Sequence, residues 1–106
     1  MMNLGNLNQF MKMAQKMQQE MARVQEELAQ KTVEASVGGG AVKVTANGRK
    51  EIISLEIDPE AIVAEDAEIL QEMILAAVNQ ALKQAEEMAS DELAKVTGGL
   101  KLPGLF

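Results

Sequence analysis

A chain of 106 residues with 47% apolar and 25% charged side chains has material for one domain with one modest core, which excludes wholesale disorder. It has no cysteine and no histidine, which excludes a disulfide framework, a thiolate nucleophile, the commonest general base and most transition-metal sites. The net charge of −6 argues against indiscriminate nucleic-acid binding, but residues 1–50 carry seven basic and four acidic groups, residues 51–106 carry three and twelve, and no acid precedes Glu20.

The first element reads as a helix. Leu7, Phe10, Ala14, Met17, Met21, Val24 and Leu28 recur at steps of three and four, a heptad seam held for three repeats. We expect it to run from Leu7 to Lys31, about 37 Å at 1.5 Å per residue. Met11 and Met13 widen the apolar face. Opposite the seam, Gln9, Lys12, Lys16, Gln19 and Arg23 form an outward stripe. Cationic and amide side chains of this kind suit phosphate contact, and equally suit an ordinary solvated face.

Three alternating runs follow: TVEASVG (32–38), AVKVTAN (41–47) and EIISLEID (51–58). Val33, Ala35 and Val37 share one face, as do Val42, Val44 and Ala46, and Ile53, Leu55 and Ile57. Each run is a strand with one buried face. Between the first two lies Gly38-Gly39-Gly40. A phosphate cradle of the P-loop or dinucleotide type needs a helix after its glycines, whereas a strand follows here. The glycines are therefore read as a hairpin connection with left-handed positions. Asn47-Gly48 makes a second tight turn.

Pro59 closes the third strand, and Asp66 caps a second helix. Leu70, Met73, Ile74, Ala77, Val78, Ala81, Leu82, Ala85 and Met88 keep helical spacing to Lys95 or Val96, with Gly98 and Gly99 as the stop. The fold class is α+β. Its order is α-β-β-β-α, a three-stranded antiparallel meander flanked by two long helices. Residues 1–99 form a single domain and 100–106 a short apolar tail.

Catalytic chemistry finds little footing. Asp58 with Glu60, and Glu65 with Asp66, are the nearest approach to paired carboxylates, and a strand end and a helix start account for them. We expect no enzyme, no cofactor, no metal and no small-molecule substrate. No apolar run approaches the ~20 residues that span a bilayer. MMNLGNLNQF lacks the basic start and apolar core of a secretory signal, so a cytoplasmic location is expected.

The helices outreach the strands, which span about 23 Å for seven residues. Their ends carry apolar seam beyond the sheet, and two-fold self-association is the commonest way to cover such a stripe. We expect a homodimer whose interface includes Leu7, Phe10, Met17, Met21, Val24 and Leu28.

GGGAVKVTANG, EIISLEIDPE and EDAEILQEMILAAVNQALKQAEE occur here in one order, with MKMAQKMQQEM before them and a Pro-Gly tail after. In this combination the chain resembles the YbaB/EbfC family of bacterial nucleoid-associated proteins over nearly its whole length. The resemblance implies a dimer whose paired helices project like tweezers and bind double-stranded DNA at the nucleoid. It points to Gln9, Lys12, Lys16, Gln19 and Arg23 as DNA-contacting positions, and adds Lys83 on the second helix. The alternative is a protein-interaction scaffold that docks a partner through the Met-rich helix and the apolar tail of Leu100, Leu102, Leu105 and Phe106.

Overall fold

The computed structural model describes residues 4–62 and 66–97. Helix α1 (Leu4–Gln30) leads into strands β1 (Thr32–Val37), β2 (Val42–Asn47) and β3 (Ile52–Ile57), then a short 3₁₀ turn (Pro59–Ala61) and helix α2 (Ala67–Thr97). The strands pair antiparallel in the order β1-β2-β3. The expected α-β-β-β-α architecture is the one observed. The expected stop at Gly98 and Gly99 and the tail at 100–106 lie outside the described residues.

Small side chains set how closely the layers pack. Ala77, Ala81 and Ala85 recur every fourth residue on α2 and have no exposed surface. They let the helix lie directly on Ala35, Val42, Val44 and Ala46 of β1 and β2. Val33, Val37, Leu70, Met73, Ile74 and Val78 close the margins.

The two glycine features do different jobs. Gly38, Gly39 and Gly40 have φ of 67°, 67° and 96°, and they link β1 to β2 as a hairpin. Gly48 is not among the positive-φ residues; its need is for space. A Cβ there would lie 2.8 Å from the Leu28 carbonyl oxygen. The left-handed residue of this second turn is Lys50, at φ 63°.

The Gly48 amide donates to the carbonyls of Leu28 (2.8 Å) and Lys31 (3.0 Å). A helix leaves its last carbonyls without partners, and here the β2–β3 turn supplies a donor. The buried Asn47 side chain completes the joint. Its Oδ1 accepts from the amides of Arg49 (2.9 Å) and Glu51 (3.0 Å), and its Nδ2 donates to the Ala29 carbonyl and the Glu51 carboxylate. The base of α1 is thereby fastened to the sheet.

The face expected of the third strand is corrected by the ladder. Ala46 pairs with Ile52 and Thr45 with Ser54, so Ile53 is an extra residue. This bulge moves Ile52, not Ile53, onto the face shared by Leu55 and Ile57. That face is only partly roofed, because α2 crosses β1 and β2. Ile52, Ile53 and Leu55 consequently remain exposed on the outer strand.

The principal extents are 74 × 24 × 16 Å, and the radius of gyration is 20.6 Å. A compact chain of this length would have about 13 Å. The excess belongs to the helices, which run past the sheet as their lengths require. Along α1, every described side chain from 6 to 16 is exposed.

Candidate nucleic-acid interface

Helical spacing puts Gln9, Lys12, Lys16 and Gln19 on one stripe, and the structure leaves all four exposed on the projecting part of α1. Lys12 and Lys16 are one helical turn apart and form no ion pair among the described residues. No carboxylate precedes Glu20 in the chain. The end of the arm therefore carries positive charge alone.

Arg23, expected on the same stripe, is differently occupied. Its Nη2 lies 2.7 Å from Glu20 Oε2 and its Nη1 2.7 Å from Glu27 Oε1. The guanidinium hydrogen bond holds the Glu20 carboxyl below its ordinary range. Two carboxylates around one guanidinium leave a local surplus of negative charge, so the cationic run ends at Lys16. Glutamates at three residues before and four after are a readable sign of this pairing.

Lys83 is exposed on α2 and has no ion pair among the described residues. It lies between Ala81 and Ala85, which pack in the core against β1 and β2. Arg49 and Lys50, in the β2–β3 turn, are also exposed and without an ion pair among the described residues. They fall outside the stripe that helical spacing picks out. Their signal in the sequence is that they form the chain's sole pair of adjacent cations.

The seam divides in two. Leu7 and Phe10 are exposed, Phe10 by 68%; Met17 and Met21 are half-buried. Val24 and Leu28 are 2% and 1% exposed within the single chain, which leaves them almost no surface for a second one.

The junction of α1 with α2 is held by Glu92, whose Oε1 accepts from Lys31 Nζ at 2.8 Å and from Lys95 Nζ at 3.4 Å. The Lys31 hydrogen bond, helped by Lys95 and opposed by desolvation, pulls the Glu92 carboxyl below its ordinary 4.5. A depressed carboxylate contributes stability above its unfolded pKa and loses it as pH falls through the folded one. Glu92→Gln is therefore expected to melt earlier than the parent at neutral pH, with the two converging as the solution is acidified below 4.5. Thermal melts across that range check it, and a constant gap would refute the assignment.

Other chemistry is sparse. No three Asp or Glu side chains converge on a metal-sized space among the described residues. Asp58 Oδ1 accepts from the Glu60 amide at 3.0 Å, capping the 3₁₀ turn. No helix among the described residues is long and apolar enough to cross a membrane.

Comparison with known proteins gives this geometry its setting. The model of the YbaB/EbfC DNA-binding family matches residues 2–100. A nucleoid-associated protein of Pelotomaculum thermopropionicum is 63% identical over 96% of this chain and 97% of its own length. One from Moorella thermoacetica is 59% identical over 97% of this chain and 99% of its own. The crystal structure of an uncharacterized protein from Helicobacter pylori superposes with a TM-score of 0.74 at 26% identity, over 92% of this chain and all of that one. These matches define a DNA-binding, nucleoid-associated protein. The particular family is YbaB/EbfC, and the chain belongs to it.

Proposed function

We propose that the protein is a non-enzymatic homodimer that binds double-stranded DNA at the nucleoid, in the cytoplasm, mainly through phosphates. The observation that carries this reading is the arm: residues 7–16 of α1 project from the domain, with Lys12 and Lys16 exposed and no acid among them. Gln9 and Gln19 flank the lysines as neutral donors. A side-chain stripe without a groove-reading helix pair or zinc finger favours backbone contact over base readout. Sequence preference is accordingly weak, and influence on gene expression comes through nucleoid organisation.

Self-association follows from two uncovered apolar surfaces. An isolated helix of about 12 residues is marginal in water, so an arm with Leu7, Phe10 and the outer edges of Met17 and Met21 exposed gains from a partner. The outer strand adds Ile52, Ile53 and Leu55. A two-fold axis presents the same patch from both sides. The described domain carries these surfaces without the tail.

Titration of a labelled duplex at two salt concentrations, with sedimentation of the free protein, tests the reading. We expect a species of twice the chain mass and an affinity that falls steeply with salt, by about 0.9 in log–log slope per phosphate neutralised. A lone subunit at micromolar concentration, or affinity indifferent to salt, would overturn it. Capture of a protein through residues 100–106, without DNA binding, would favour the scaffold alternative.

A further inference from the structure

We infer that the β2–β3 turn, through Arg49 and Lys50, is a second phosphate-contacting site for the same duplex, separate from Lys12 and Lys16. The inference rests on the DNA-binding reading and adds to it a contact at the base of the arm.

The turn is built rather than loose. Lys50 N–H donates to the Asn47 carbonyl at 3.1 Å, and Asn47 N–H to the Glu51 carbonyl at 3.0 Å. This is a three-residue hairpin loop ending in a left-handed position, where glycine is the ordinary occupant. Lysine stands there instead, at φ 63°. A long cationic side chain at a position that penalises any Cβ is an outlier of the kind that accompanies function.

The turn keeps a net positive charge, two cations against one carboxylate. Glu51 is the adjacent acid, and its carboxylate accepts from Asn47 Nδ2 at 3.0 Å. Neither Arg49 nor Lys50 is paired with a carboxylate among the described residues. The backbone amides of both are already committed to Asn47, so contact would come from the side chains.

The turn also sits within reach of the arm. The Gly48 amide meets the Leu28 carbonyl, which places the turn at the C-terminal end of α1. Lys16 and Lys12 lie twelve and sixteen residues before Leu28, about 18 and 24 Å along the helix. That separation is shorter than one turn of B-form DNA, about 34 Å. Along the axis both cationic pairs fall within one duplex turn; Leu28 belongs to the seam and the lysines to the opposite face, so a duplex that meets both crosses over the helix.

The test is the full-length double variant Arg49→Gln, Lys50→Asn, titrated with a labelled duplex of about 30 base pairs at several salt concentrations beside the parent and Lys12→Glu, Lys16→Glu. Asparagine tolerates the left-handed position better than lysine, so the turn variant should melt no earlier than the parent. We expect affinity at about 0.15 M salt to fall on the order of 30-fold for each protomer's turn that meets the duplex, and the salt slope to drop by about 0.9 for every phosphate no longer neutralised. An unchanged affinity and slope in a folded variant, with the arm variant impaired, overturns this site alone. A parent that binds no duplex overturns the DNA-binding reading and this site together.

Discussion

Replacing Lys12 and Lys16 together by glutamate is expected to remove duplex binding while leaving the fold and its melting intact. Both side chains stand on the projecting arm, without an ion pair among the described residues, so their removal breaks no bond that holds the chain together. At about 0.15 M salt each phosphate neutralised is worth roughly 0.7 log units, from the −0.9 slope. Four such phosphates across the proposed dimer then amount to roughly a thousandfold in affinity, and charge reversal adds repulsion to that. The salt slope should shrink by about 3.6. The same reversal at Arg23 is expected to do much less to DNA, because Glu20 and Glu27 already offset that charge. A folded Lys12→Glu, Lys16→Glu protein that holds DNA as tightly as its parent would exclude the arm as the site.

Leu28→Ala is expected to be the most damaging single truncation, at about 3 kcal/mol. Leu28 is 1% exposed and one of the largest fully buried side chains. Its Cδ2 and Cβ lie where a Cβ on Gly48 would fall, so it fills the joint between α1 and the β2–β3 turn. Removing its branch leaves a void where the helix is fastened. In a domain of this size the change lowers the melting temperature by about 12 to 20 °C. Leu28→Met conserves volume and should cost under about 1.5 kcal/mol. Thermal or urea unfolding distinguishes the pair. Equal melting of the alanine variant and the parent would mean that the arm is not held there.

The architecture was legible because periodicity changes so cleanly along the chain. The heptad from Leu7 to Leu28 and the alternation from Val33 to Ala46 leave little choice of element. The helix begins earlier than expected, at Leu4, so Gly5 lies inside it rather than ahead of it. The third strand shows where periodicity fails. Ile52 and Ile53 are adjacent and equally apolar, so nothing in the string says which turns toward the helices; the ladder decides by skipping Ile53.

Of the candidate interface, Lys12 and Lys16 could be read from helical spacing. The neutralisation of Arg23 could have been, from Glu20 and Glu27. Burial of Val24 and Leu28 could not, because it depends on where α2 and the turn come to rest on α1. Arg49 and Lys50 required the topology too. In sequence they follow Asn-Gly as ordinary loop residues, and only the Gly48–Leu28 hydrogen bond puts them at the root of the arm.

Attachments confined to its C-terminal part, from Val24 onward, make α1 a lever. From Leu28 to Leu4 the helix measures about 36 Å, and a tilt of about ten degrees at its fulcrum would swing the far end by about 6 Å. Small adjustments near Gly48 are thereby magnified where Lys12 and Lys16 sit, and in the proposed dimer the same leverage would set the gap between the two arms.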